Sequence, residues 1–66
     1  MLIKINGEEY KLTKATSVAN LLAELKLDPT KVAIERNLAI VSINNYNSVE
    51  LCEGDNIEIV HFIGGG

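Results

Sequence analysis

The sequence predicts an α+β fold, a roll in which one amphipathic helix packs across one face of a mixed sheet of four to five strands. Two observations predict this class. Short segments of alternating apolar and polar residues stand on both sides of a single segment with helical period, and a sheet with one apolar face needs such a cover. The chain of 66 residues is also 47% apolar with one proline, which is typical of a single folded domain.

The N-terminal part predicts a β-hairpin. Residues 2–5 alternate apolar and polar side chains, and residues 9–12 can return as the antiparallel partner. Asn6 and Gly7 lie between them, and this pair favours a two-residue turn with positive φ. The first two strands are therefore expected to be neighbours in the sheet.

One helix is expected over about residues 17–26. Thr16 or Ser17 can cap its N-terminus, and Asp28 and Pro29 are expected to end it. Its apolar residues recur at spacings of three and four and are Val18, Leu21, Leu22 and Leu25. This stripe predicts the face that covers the sheet.

The remaining strands follow the helix. Residues 32–36 predict a third strand, residues 39–41 extend its hydrophobic run beyond a break near Asn37, and residues 49–51 predict a short strand. The last and most apolar strand is expected at residues 57–63.

The two faces of this last strand differ. Because side chains alternate along a strand, Ile57, Ile59 and Ile63 are expected to face the helix. Val60 and Phe62 then lie on the face that the helix leaves open, where an exposed apolar pair predicts a docking surface for a partner protein. A register shifted by one residue would instead place Phe62 in the core.

The sequence ends in three glycines, Gly64, Gly65 and Gly66. Without Cβ atoms, they form a backbone thin enough to enter the active site of another protein. The α-carboxylate of Gly66 is ionised at neutral pH and needs activation before a nucleophile attacks it. Adenylation by a partner's ATP, followed by a sulfur nucleophile, would make it a thiocarboxylate. A frayed terminus or a linker remnant is the alternative interpretation.

Composition and motifs argue against other functions. The net charge is −3 and the basic residues are dispersed, which disfavours nucleic acid or an anionic membrane as a partner. Neither G-x-G-x-x-G nor G-x-x-x-x-G-K-[ST] occurs, so nucleotide binding by these motifs is excluded. A deep substrate pocket would also compete with the core of a domain this small, which argues against an independent enzyme.

Cys52 and His61 are the only cysteine and histidine, and two such ligands are too few for a zinc site of Cys and His. We expect Cys52 to be a small buried apolar residue and His61 a partly solvated strand residue. A lone cysteine forms no internal disulfide, which favours a reducing compartment and a cytoplasmic location. No metal site and no bound cofactor are predicted.

Three segments of the chain are together similar to those of a known protein family. They are Val18-x-x-Leu21-Leu22, Val32 to Asn37 leading to Ile40-Val41, and Gly54-Asp55-x-Ile57-Glu58-Ile59-Val60 before the terminal glycines. With them the chain resembles, over essentially its whole length, the sulfur carrier proteins of thiamine thiazole synthesis, the ThiS family. Their fold is a ubiquitin-like β-grasp.

The resemblance implies a β-grasp domain at residues 1–63 and a flexible glycine tail at residues 64–66. It also implies three partners: a ThiF-like adenylyltransferase that uses ATP to adenylate Gly66, a sulfur-donating protein, and a thiazole synthase that consumes the thiocarboxylate. The chain itself would be a carrier and not an enzyme.

The resemblance leaves alternatives. Sulfur carriers of molybdopterin synthesis and of tRNA thiolation share the fold and the tail, and a β-grasp interaction module could carry a chemically idle tail. Many ThiS members also have Pro-Arg where this chain has Ser42-Ile43, and many end in two glycines.

Overall fold

The computed structural model describes residues 1–62, and this part of the chain forms five strands, one α-helix and two short 3-10 helices. The strands are β1 (Leu2–Ile5), β2 (Glu8–Lys11), β3 (Val32–Arg36), β4 (Ala39–Val41) and β5 (Asn56–His61). The α-helix is α1 (Val18–Glu24), and the 3-10 helices are Pro29–Lys31 and Ile43–Asn45. The expected boundary between domain 1–63 and tail 64–66 lies outside the described residues.

The sheet is mixed, with strand order β2-β1-β5-β3-β4. β1 and β5 are parallel, with Lys4 opposite Asn56, and the other neighbouring strands are antiparallel. A parallel pair needs a long crossover connection, and the chain between β1 and β5 supplies it with α1, β3 and β4. The predicted α+β class is confirmed, and the last strand occupies the centre of the sheet.

The core lies between α1 and one face of the sheet. Its most deeply buried side chains come from β1, β3, β5 and the helix and are Ile3, Val18, Leu21, Leu22, Ile34 and Ile57. Burying an aliphatic side chain of this size contributes about 1.5–3 kcal/mol. This layer therefore holds the helix on the sheet and leaves the other face of the sheet uncovered.

The helix begins where the sequence predicts. The hydroxyl Oγ of Ser17 accepts a hydrogen bond of 3.1 Å from the backbone N–H of Asn20, so Ser17 is the N-cap.

The predicted end of the helix at Asp28 and Pro29 is wrong. Lys26 has φ 60°, and its N–H donates to the carbonyl of Ala23 at 3.0 Å, while the N–H of Leu27 donates to the carbonyl of Leu22 at 2.9 Å. These two bonds form a Schellman motif, a helix stop that usually uses glycine. Asp28 instead caps the first 3-10 helix by accepting from Thr30.

The predicted strand at residues 49–51 does not form. The segment makes a single bridge, between Glu50 and Ser17. The N–H of Val18 donates to the carbonyl of Val49, so the segment pairs with the entry to the helix and not with the sheet.

None of the helices in residues 1–62 has the length and apolar content needed to cross a lipid bilayer.

Candidate functional site

The uncovered face of the sheet presents apolar side chains at the end of β5. Val60 is 56% and Phe62 61% exposed, whereas Ile57 and Ile59 are buried against the helix. The predicted division of the strand into two faces is therefore confirmed for these four residues, and the alternative in which Phe62 enters the core is wrong. Ile63 lies outside the described residues.

The exposed apolar surface continues onto β3 and β4. Val60 lies opposite Ala33, and Ile40 of β4 is 81% exposed on the same side. We call Ala33, Ile40, Val60 and Phe62 the open face. Beside it, Phe62, Ile40 and Ile43 border an open apolar groove of about 280 Å³.

The sequence pattern did not predict Ile40 as part of this surface. Ala39, Ile40 and Val41 are all apolar, so the run hides the alternation of the β4 side chains between the two faces of the sheet. Applying the same two-residue period to β4 as to β5 would have found Ile40.

Phe62 is held at the edge of the sheet by its backbone. Its N–H donates a hydrogen bond of 3.0 Å to the carbonyl of Lys31, which directly precedes β3. β5 therefore stays paired with the β3 side of the sheet up to the last described residue.

The other end of β5 is fixed by the buried carboxylate of Asp55. Asp55 is 5% exposed and accepts hydrogen bonds from Arg36 Nε at 2.8 Å, from Asn37 Nδ2 at 3.0 Å and from the backbone N–H of Cys52 at 2.8 Å. Burial alone would raise the pKa of this carboxyl, but these hydrogen bonds and the charge of Arg36 hold the pKa below its ordinary value of 3.8. The cluster joins the start of β5 to the β3–β4 turn.

The expectation of a buried Cys52 is wrong, because the thiol is exposed. Its backbone N–H is fixed by Asp55, and the side chain lies on the solvent side of the turn, with Sγ 3.4 Å from Arg36 Nη2. His61 is exposed at the end of β5, as predicted for a solvated strand residue.

Within residues 1–62 no three His, Cys, Asp or Glu side chains are grouped so that they could hold a metal ion. Gly64, Gly65 and Gly66 were predicted to enter a partner's active site, with Gly66 as the modified residue. These residues lie outside the described part of the chain.

A sequence model of the ThiS family matches residues 3–66. The chain belongs to the ThiS family. The resemblance seen in the sequence is thereby confirmed, and the match extends through the terminal glycines of this ThiS-family chain.

Two curated relatives differ in length. Sulfur carrier protein ThiS of Bacillus subtilis (strain 168) is 44% identical over 66 residues, covering 98% of this chain and 100% of the Bacillus protein. A thiazole synthase of Magnetococcus marinus is 50% identical over 66 residues, covering 100% of this chain but 20% of that relative. The chain thus spans about a fifth of the thiazole synthase, which contains a ThiS-like region.

A solved structure has the same fold. The crystal structure of the thiamine biosynthesis protein ThiS from Geobacter metallireducens is similar with a TM-score of 0.87 and 26% identity, and the match covers 100% of both chains. The predicted ubiquitin-like β-grasp fold of this ThiS-family chain is confirmed.

Proposed function

We propose that this ThiS-family chain is a sulfur carrier for thiamine biosynthesis and that its reactive group is the α-carboxylate of Gly66. The observation that carries the proposal is the family match, because it includes the terminal glycines together with the folded body. The curated Bacillus relative of the same length is named a sulfur carrier, which supports the same function.

The proposed chemistry takes place in partner proteins. A carboxylate oxygen of Gly66 attacks the α-phosphorus of ATP held by a ThiF-like adenylyltransferase, and pyrophosphate leaves. A hydrosulfide-type nucleophile supplied by a sulfur-donating protein then forms the C–S bond while the bond to AMP breaks. The product is a thiocarboxylate at Gly66, with no change in the oxidation state of the carbonyl carbon.

A thiazole synthase is the proposed acceptor of this sulfur. The Magnetococcus thiazole synthase includes a region 50% identical to this chain, which supports a working relationship between the two proteins. In this scheme the chain binds no cofactor and catalyses no step, and the ATP is used by the adenylyltransferase.

The folded body would act by docking. Val60 on the central strand and Phe62 directly after this strand are exposed close to the tail, so a partner that binds the open face holds the chain near Gly66. The four residues after Phe62 can span at most about 14 Å, which sets the distance between the docking surface and the partner's catalytic groups. Gly64 and Gly65 provide the narrow approach to that site.

We expect this chemistry in the cytoplasm, where ATP is available. Intact-mass measurement tests it after incubation with ATP, the adenylyltransferase and a sulfur donor, with a matched reaction lacking ATP as the control. A sulfur carrier gains one sulfur in place of one oxygen only when ATP is present. An unchanged mass with partners shown to be active would contradict the proposal and indicate an interaction module with an idle tail.

Growth of a strain lacking the gene identifies the pathway. Restoration by added thiamine alone supports a role in thiamine synthesis. A defect that thiamine does not restore would point to molybdopterin synthesis or tRNA thiolation.

A further inference from the structure

The side chain of Asn6 continues the pairing of β5 after β1 has ended. The register of these two parallel strands ends at Ile5 and Ile57, and the N–H of Asn6 adds a bond of 2.9 Å to the carbonyl of Ile57. The chain then turns into the β1–β2 hairpin. The carboxamide of Asn6 takes the place of the next strand residue, because its Oδ1 accepts from the N–H of Ile59 at 2.8 Å and its Nδ2 donates to the carbonyl of Ile59 at 3.2 Å.

These two bonds hold β5 directly before its exposed apolar residues. Ile59 is buried, and the exposed Val60 and Phe62 follow it in the chain. Strand β3 pairs with one edge of β5 as far as His61. On the other edge, Asn6 makes the last hydrogen bonds to β5 that occur within residues 1–62. Asn6 therefore fixes the end of β5 on the side that β3 does not cover.

Asn6 is followed by Gly7, and this pair of residues is chemically reactive. The backbone nitrogen of Gly7 attacks Cγ of Asn6, the C–N bond of the carboxamide breaks, and ammonia leaves with the proton of the Gly7 N–H. Water then opens the cyclic succinimide at one carbonyl to give aspartate or at the other to give isoaspartate. Glycine favours the attack because no Cβ shields its nitrogen. Both residues are exposed, so water reaches the ring.

The folded structure opposes this reaction. Ring closure needs Cγ of Asn6 to approach the nitrogen of Gly7, whereas both polar atoms of the carboxamide are bonded to Ile59 on the neighbouring strand. The side chain has to leave β5 before it can react. The rate of the attack is therefore limited by the fraction of molecules in which these bonds are open, and such local opening requires less free energy than global unfolding.

We propose that Asn6 is a deamidation site of this chain and that its conversion releases the end of β5. An aspartate at this position still accepts from the N–H of Ile59, but its ionised carboxylate has no donor for the carbonyl of Ile59. Isoaspartate also adds a methylene to the backbone of a turn whose φ angles, 51° and 85°, suit asparagine and glycine. Both products weaken the attachment of β5 next to the proposed docking residues Val60 and Phe62.

The first test compares deamidation in the folded and the unfolded full chain. Both samples are kept at the same pH and temperature, one in buffer and one in concentrated guanidinium chloride, and mass spectrometry of the N-terminal peptide follows the conversion of Asn6. The folded chain is expected to react at least about tenfold more slowly, because its reactive side chain is released only by local opening. Equal rates would overturn the inference, and so would the absence of conversion at Asn6 in both samples.

Asn6→Asp reproduces one product directly. Its Tm is expected to fall by about 4–8 °C, the shift that the loss of one hydrogen bond produces in a domain of this size. Asn47→Asp makes the same chemical change at an exposed residue between β4 and β5 and is expected to keep the wild-type Tm. Equal Tm values for the two variants would overturn the role of the carboxamide.

Hydrogen exchange shows where Asn6→Asp acts. Release of the strand end predicts that the backbone amides of residues 58–62 gain more in exchange rate, relative to the wild-type chain, than the amides of α1 do. An equal increase in both segments would indicate a loss of global stability alone and would overturn the local release of β5.

The consequence for function rests on the proposed sulfur-carrier role. Thiocarboxylate formation is measured at increasing concentrations of the wild-type chain and of Asn6→Asp. The variant is expected to need an about threefold or higher concentration for the half-maximal rate and to reach the same maximal rate, because a loosened docking strand weakens binding to the adenylyltransferase. Identical curves would overturn this consequence. A wild-type chain that gains no sulfur contradicts the proposed function instead, while the deamidation rates and Tm values still test the site at Asn6.

Discussion

Arg36 Nε donates a hydrogen bond of 2.8 Å to Oδ2 of Asp55, and this ion pair connects the end of β3 to the residue that precedes β5. Asp55 is almost fully buried and is also bonded to Asn37 and to the backbone of Cys52. The carboxylate thus fixes the start of the strand that carries the docking residues and the tail.

Asp55→Ala is expected to lower the free energy of unfolding by about 2–4 kcal/mol, because it leaves several buried or half-buried donors without their acceptor. Urea unfolding followed by circular dichroism measures the change. Glu9→Ala removes an exposed carboxylate and is expected to change stability by less than about 0.5 kcal/mol. A loss in Asp55→Ala no larger than in this control would contradict a structural role for the cluster.

The lowered pKa of Asp55 predicts that the free energy of unfolding depends on pH. Its pKa in the folded protein is lowered from 3.8, so the ionised form stabilises the fold above about pH 4. This contribution is lost as the pH falls through the folded-state pKa. The unfolding free energy of the wild-type chain should therefore decrease more steeply below pH 4 than that of Asp55→Asn. Parallel curves for the two proteins would show that Asp55 does not carry this dependence.

Lys26→Gly is expected to stabilise the chain by about 0.5–1 kcal/mol, since glycine adopts the left-handed conformation of the helix stop without a Cβ penalty. Lys11→Gly in β2 is the comparison, and there the same substitution in an extended segment is expected to destabilise by about 0.5–1 kcal/mol. Thermal unfolding shows whether each substitution stabilises or destabilises the chain. Destabilisation by both substitutions would contradict the helix stop assigned to Lys26.

Replacing Val60 and Phe62 together by serine is expected to slow thiocarboxylate formation about tenfold or more, by weakening the complex with the adenylyltransferase. Both side chains are exposed, so the Tm should change little. Leu2→Ser, which alters an exposed apolar residue on β1, is the control and should react at the wild-type rate. If the double variant forms the thiocarboxylate at the wild-type rate, the open face does not bind the adenylyltransferase.

Much of this fold follows from patterns that a sequence displays directly. The alternation around Ile57 and Ile59 predicts the strand and its two faces, and Asn6 followed by Gly7 predicts the first turn, because each pattern has one favoured backbone conformation. The exposure of Val60 and Phe62 was predictable for the same reason.

The errors have two causes. The 49–51 segment leaves the sheet because its backbone bonds to the start of the helix, far away in the sequence, and local propensity does not contain such bonds. At Lys26 and Cys52 the hydrogen bonds are local. Lys26 ends the helix in a left-handed conformation that lysine rarely adopts, and Cys52 is exposed because the side chain of Asp55 fixes its backbone in a turn.

The terminal carboxylate is the centre of the proposed function, and a chain extended by one phenylalanine after Gly66 tests it most directly. Thiocarboxylate formation is measured by mass spectrometry of the C-terminal peptide after reaction with ATP, the adenylyltransferase and a sulfur donor, and the Tm of both chains confirms that the body is folded. The account predicts sulfur at Gly66 in the wild-type chain and none in the extended chain. Equal sulfur incorporation in the two chains would contradict it.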